Sequence, residues 1–155
     1  MSKLLRFPPL IGALLLSIFA LQVGAQDPAS PRFEAIADGT VRDHQTGLLW
    51  AAKDSRGDVD WVSAQAYCEA LGAGWALPSK AELLAMYRSD PSKGQECIGS
   101  LTCHLTPLIE LSGLTPWTSE TKGSDQAWYV YLADGQAYPS KSSSSQGKRA
   151  LCRHK

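Results

Sequence analysis

The sequence predicts an α+β domain in which two helices are followed by short, mostly antiparallel strands. Three observations carry that prediction. Two segments, Asp60–Leu71 and Ser79–Arg88, place apolar residues at helical spacing behind residues suited to cap a helix. Later segments, above all Ala127–Leu132, alternate in the strand manner between glycine-containing turns. All four cysteines, Cys68, Cys97, Cys103 and Cys152, lie beyond an amino terminus built like a secretion signal.

That amino terminus comes first. Lys3 and Arg6 give it a positive start, Leu10–Leu21 form an apolar stretch, and Val23-Gly24-Ala25 put small residues where a signal peptidase cuts. A membrane-spanning helix needs about 20 apolar residues, more than this stretch supplies. Residues 1–25 therefore read as a cleaved signal peptide, residues 26–32 as a flexible lead-in, and residues 33–155 as one domain in the periplasm or the medium. No cysteine follows the cleavage point to carry a lipid. Removing Lys3 and Arg6 leaves 13 basic and 15 acidic residues, a balance of −2. This argues against a nucleic-acid partner, which calls for a basic excess. No later apolar run is long enough for stable membrane insertion.

The elements follow in order. Phe33–Ala37 and Thr40–Arg42 are strand candidates around the Asp38-Gly39 turn, and Leu48–Ala51 is the next strand after a turn at His44–Gly47. Lys53–Asp60 is a charged loop. Asp60 caps a helix whose apolar stripe is Trp61, Ala64, Cys68 and Leu71, stopped by Gly72-Ala73-Gly74. Trp75–Pro78 is a short extended link. Ser79 and Glu82 form a capping box opening the second helix, with Leu83, Leu84 and Tyr87 on its buried side. Ser89–Pro116 is irregular, and Trp117–Ser119 is a short strand. In Ala127–Leu132, Trp128, Val130 and Leu132 face one way, Tyr129 and Tyr131 the other. Asp134-Gly135 turns the chain into Gln136–Tyr138, and a serine-rich loop, Lys141–Gly147, precedes a closing strand, Arg149–Arg153.

An even cysteine count behind an export signal favours disulfides, with three pairings open. The metal alternative, Cys97 and Cys103 with His104, has five residues between its cysteines where zinc motifs have two to four.

Several motifs stand in a fixed order: Thr46-Gly47-Leu48-Leu49-Trp50, Ala66-Tyr67-Cys68-Glu69-Ala70-Leu71, Gly74-Trp75-Ala76-Leu77-Pro78-Ser79-Lys80-Ala81-Glu82-Leu83, Trp117-Thr118-Ser119-Glu120, Ala127-Trp128-Tyr129-Val130 and Arg149-Ala150-Leu151-Cys152-Arg153. Together they resemble the Lcl C-terminal domain family, a bacterial domain of unknown function, from about Phe33 to the end. The family is similar in fold to C-type lectins. The resemblance therefore implies a C-type-lectin-like domain with two disulfides, Cys68 to Cys152 and Cys97 to Cys103. It also implies glycosaminoglycan-like ligands for some members. One departure is visible: Ala76 stands where the family has an arginine able to anchor a carboxylate. Trp75, Leu77 and Pro78 keep the apolar contacts and the bend.

The chemistry-bearing residues point to binding. The calcium motifs of sugar-binding C-type lectins, Glu-Pro-Asn or Gln-Pro-Asp with Trp-Asn-Asp, do not occur, and Asp54, Asp58 and Asp60 read as a solvated loop plus a helix cap. No metal or cofactor is expected. His44, His104 and His154 are scattered, Ser119 beside Glu120 reads as strand-end chemistry, and no catalytic residue is assigned. Formylglycine-generating enzymes share a related fold but are much longer, and their cysteine motif is absent here. Trp50, Trp61, Trp75 and Trp128 fall on apolar patterns and are expected in the core. Trp117 stands beside the irregular region.

After Asp134 the chain has five basic residues and no acidic one: Lys141, Lys148, Arg149, Arg153 and Lys155. The candidate ligand-binding set is Trp117, Tyr129, Tyr131, Tyr138, Lys141 and Lys148, aromatic rings to stack on sugars with cations to meet their acidic groups. The function expected is that of an exported, non-catalytic module for anionic or other surface polysaccharide. The alternatives are a protein-interaction component of a cell-envelope assembly and an enzyme related to formylglycine-generating enzymes.

Overall fold

Strands β1 (Phe33–Ala35), β2 (Thr40–Asp43) and β3 (Leu49–Ala51) form an antiparallel meander in the computed structural model. The structure describes residues 31–89, 95–98 and 101–155, without the side chains of 88, 89 and 95–98. The expected signal peptide and residues 26–30 of the lead-in lie outside the described residues. Two carboxylates fix the meander's turns. Asp38 Oδ1 accepts from the Thr40 N–H at 2.9 Å and its hydroxyl at 2.6 Å, while Gly39 supplies the positive φ. Asp43, fully buried, accepts from Arg32 at 2.7 and 2.6 Å, from the Thr46 hydroxyl at 2.8 Å and from the Gln45 N–H at 3.0 Å.

Helix α1 spans Trp61–Glu69, and Asp60 caps it by accepting from the Ser63 N–H at 2.7 Å. Strand β4 is Trp75–Ala76, and helix α2 is Lys80–Ser89. The α2 capping box forms as expected: Glu82 Oε2 accepts from the Ser79 N–H at 2.7 Å, and Ser79 Oγ from the Glu82 N–H at 3.1 Å. The region expected to be irregular contains a hairpin, β5 (Gln95–Ile98) and β6 (Leu101–Cys103). Then come β7 (Thr115–Lys122), β8 (Gln126–Tyr131), β9 (Gln136–Lys141), β10 (Lys148–Arg149) and β11 (Arg153–His154).

Among the described residues the strands build three sheets rather than one: β1-β2-β3-β11-β4, β10-β7-β8-β9 and β5-β6. All strand pairs are antiparallel except β10 with β7. Strand β8 contributes to two packed cores. Val130, with Leu132 just beyond the strand, joins Trp50, Leu83, Met86 and Leu105. Ala127 joins Ala64, Cys68, Leu77, Trp117 and Cys152 in the other. The bridge between Cys68 and Cys152 closes 84 residues and ties α1 to the chain just before β11. Cys103 is buried and disulfide-bonded. The expected Cys97 partner side lies outside the described residues.

Several expectations are corrected. The closing strand is two short ones in different sheets, because Ala150, Leu151 and Cys152 are buried consecutively as the chain crosses from one sheet to the other. Leu71 is 45% exposed because α1 ends at Glu69 with Ala70 as its cap, before the stripe reaches it. On α2 the buried side is Leu83 and Met86, with Leu84 and Tyr87 partly buried. Trp117 is fully buried, and its Nε1 donates to the Val59 carbonyl at 2.9 Å. Trp50 is buried as expected, Trp61 and Trp75 are partly buried, and Trp128, expected in the core, is only partly buried. Opposite Ala76, Arg153 pairs across the strands and donates to Glu82 Oε2 at 3.2 Å, so a carboxylate is anchored from the neighbouring strand.

Candidate ligand-binding face

The centre of the second sheet brings four of the six candidate residues together. Register pairs Trp117 with Tyr129 and Tyr129 with Tyr138, so alternation puts all three rings on one face. Trp117 and Tyr129 meet edge to face at 6.1 Å and 87°, and Tyr129 and Tyr138 lie 5.9 Å apart, tilted by 35°. Trp117 is the buried end of this row and Tyr138, 39% exposed, its open end.

Lys148 completes the face. Its Nζ lies 4.1 Å from the Tyr129 ring centre and 5.8 Å from that of Trp117. The backbone around it is held on both sides. The Lys148 N–H donates to the Ser145 carbonyl at 2.9 Å, and its own carbonyl accepts from Val59 at 3.2 Å. Asp58 accepts from the Gly147 N–H at 2.9 Å and pairs with Arg149, which also donates to Ser112 Oγ at 2.9 Å. Lys148 has no ion pair among the described residues. Burial lowers its pKa, only partly opposed by the Asp58 charge. Burial, then the Asp134 charge, raise the Tyr129 pKa. The Tyr138 hydroxyl donates to Asp134 Oδ2 at 2.8 Å, a bond that raises its pKa and fixes the ring's orientation.

Two candidates stand apart. Tyr131 is partly buried and packs against the other core. Lys141 pairs with Gln126, and alternation places it on the Trp128 face, opposite Tyr138. Sequence reasoning missed Asp58 and Asp134, which position Lys148 and Tyr138. Asp134 had a signal, since it stands in the hairpin turn four residues before Tyr138; Asp58 lies 89 residues from Gly147 and had none.

The other polar groups have separate structural tasks. Asp54 accepts from the Ser112 N–H at 2.6 Å, its hydroxyl at 2.8 Å and the Arg56 N–H at 2.9 Å. With Asp58 on Arg149 and Asp60 on α1, the loop's three carboxylates serve three different partners. No group of three His, Cys, Asp or Glu converges as metal ligands among the described residues. His44 meets Glu34 at 2.9 Å, His154 meets the Ala73 carbonyl at 3.1 Å, and His104 packs on the Tyr87 ring at 5.4 Å. Glu120 accepts from the Lys80 N–H at 2.9 and 3.1 Å, so its carboxylate caps α2 while Ser119 donates its N–H to Pro78 at 2.8 Å. Among the described residues no helix is long and apolar enough to cross a membrane.

Fold and face together define a disulfide-braced α+β domain carrying an aromatic row with a half-buried lysine at its side. The chain belongs to the Lcl C-terminal domain family, whose sequence profile matches residues 39–152. The matched span contains every residue of the face just described. No curated protein matches the chain.

Proposed function

We propose that this protein is an exported, non-catalytic module that binds anionic polysaccharide in the periplasm or outside the cell, on the face formed by Tyr129, Tyr138 and Lys148. The observation that carries the reading is Lys148: an ammonium held against two aromatic rings, with the nearest carboxylate influence, Asp58, already committed to Arg149 and Gly147. Desolvation makes that charge costly in the free protein, and an acidic group on a ligand offsets the cost. The open Tyr138 ring offers a stacking surface for the sugar beside it. Single contacts of this kind contribute about 0.5–2 kcal/mol, so useful affinity comes from repeated engagement along a polymer. A C-type-lectin-like fold belongs to the same proposal. It is supported by the long bridge from α1 to the carboxy-terminal segment and by β11 lying beside β3 in the first sheet.

The test compares a heparin-like polymer with a neutral one, on wild type, Lys148→Met and Tyr138→Ala, at low and physiological salt. Wild type is retained on the anionic polymer alone and elutes as salt rises, because screening shortens the reach of each charge. Lys148→Met loses most of that retention. Its melting curve shows that the variant is folded, so the loss reports the contact and not the fold. Equal retention of wild type and Lys148→Met overturns the site. No retention of wild type at low salt overturns the polysaccharide reading and favours a protein partner in an envelope assembly.

A further inference from the structure

We infer that the opposite face of the same sheet carries a second acidic-saccharide site, centred on Trp128. Trp128 immediately precedes Tyr129 in β8, so strand alternation turns its ring away from the Lys148 face. Where Val130 and Leu132 on that side are buried in the core, Trp128 stays partly exposed. The reason is local: α2 covers this side of the sheet but begins only at Lys80, whose flexible side chain, rather than an apolar residue, lies over the indole.

Cations gather on this ring. Lys80 Nζ lies 4.1 Å and Lys122 Nζ 5.2 Å from the Trp128 ring. Register adds a third, because Lys122 pairs with Gln126 and Gln126 with Lys141, a cross-strand row two residues from Trp128 along β8. Pro139 sits directly across from Trp128 and extends the apolar floor toward the edge strand β9. None of the three lysines has an ion pair among the described residues. Glu120 accepts from the Lys80 backbone N–H, and the capping box takes the Ser79 and Glu82 N–H groups.

Converging like charges over a partly exposed indole fit one kind of occupant: a sugar whose C–H face stacks on Trp128 and whose carboxylate or sulfate lies between the ammoniums. The ligand class follows from the polysaccharide reading, but the site does not depend on Lys148. The two faces meet at β9, one strand-spacing from β8. A polymer passing over Tyr138 can turn round that edge onto Pro139 and Trp128, which makes the second contact intramolecular.

A sulfated, uronate-containing disaccharide separates the sites, because it is too short to serve both faces at once. Titration of wild type, Lys148→Met, Lys80→Gln/Lys122→Gln and the triple variant by calorimetry, with ring resonances of Trp128 followed by NMR, counts and locates them. Melting curves confirm that each variant is folded. The expected result is two sites in wild type, one in each partial variant and none in the triple, with polymer affinity falling at least about tenfold when either site is lost. Loss of all binding in Lys148→Met, with Lys80→Gln/Lys122→Gln unchanged, overturns the Trp128 site and leaves the Lys148 site standing. Loss confined to Lys80→Gln/Lys122→Gln keeps the Trp128 site and overturns the first. Equal binding of a glutamate dipeptide at Trp128 overturns its saccharide character.

Discussion

Removing the bridge between Cys68 and Cys152 should be among the most destabilising two-residue changes in the domain. The bridge closes 84 residues, and both half-cystines are fully buried in one core. A cross-link of that span removes chain entropy from the unfolded state equivalent to about 4–5 kcal/mol. A Cys68→Ala/Cys152→Ala variant loses that restraint and also two buried sulfur atoms. Against a usual domain stability of about 5–15 kcal/mol, most of the margin goes. At about 4 °C per kcal/mol for a domain of this size, the melting temperature should drop by about 15–20 °C. Urea unfolding should show a lower midpoint and a steeper dependence on urea, because the uncross-linked unfolded chain exposes more surface. The expected Cys97–Cys103 loop is far shorter, so Cys103→Ser, measured the same way, should cost only about 2 kcal/mol. A loss below about 5 °C in the Cys68→Ala/Cys152→Ala variant would refute the reasoning, since it would mean that the unfolded chain is restrained by something else.

Two further outcomes follow from two arginine-anchored carboxylates and from one turn. In Asp43 and Glu82 burial raises the pKa, but the hydrogen bonds and charges of Arg32 and Arg153, with Thr46, Gln45 and Ser79, outweigh it and hold both carboxyls below their ordinary values. A depressed carboxyl pKa contributes stability that is present above the ordinary value and lost as pH falls, so melting temperature should decline below about pH 4.5. Asp43→Asn/Glu82→Gln should be less stable at neutral pH and flatter across that range; an unchanged slope would count against the two anchors. Gly135 has φ +68° and a built Cβ would stand 2.3 Å from Tyr87 Cε1, whereas Gly123, at φ +72°, meets nothing within 4 Å. Both Gly→Ala changes cost about 1–2 kcal/mol for the backbone, and Gly135→Ala should cost at least about 1 kcal/mol more in chemical unfolding, the difference reporting the seat of the turn on α2.

What was legible in the sequence was local. Asp60 and the Ser79–Glu82 pair announced both helix starts because capping is settled within four residues. The Asp134-Gly135 turn announced the β8–β9 hairpin, and counting from it would have placed Lys141 opposite Gln126 and so on the wrong face for Tyr138. What was not legible depended on distant cover. Alternation gives the parity of Trp128 and Tyr129 but not which end of each face a helix reaches, so pattern alone predicts Trp128 in the core. Trp117 is buried among residues from α1 and the carboxy-terminal segment, with its N–H satisfied by the Val59 carbonyl, 58 residues away. Lys148 meets Tyr129 only because β10 runs parallel to β7, aligning Lys148 with Thr115, a pairing with no local signal.

The basic carboxy-terminal segment divides by residue type, and the division bears on what the face can do. Arg149 and Arg153, 11% and 14% exposed, are bound to Asp58 and Glu82 and join the segment to the 53–60 loop and to α2. A guanidinium offers several donors in a fixed plane and suits such multi-partner anchoring, whereas a lysine is a point charge on a flexible stem. Lys141 and Lys148 are left without carboxylates. The acid whose charge reaches Lys148, Asp58, is itself held by Arg149 and the Gly147 N–H. A chain with no positive excess can thus present a locally positive face where lysines stand without an ion pair. The near-neutral total charge therefore gives no argument against an anionic ligand, since the field a polymer meets is set by the unpaired lysines within a Debye length of about 8 Å.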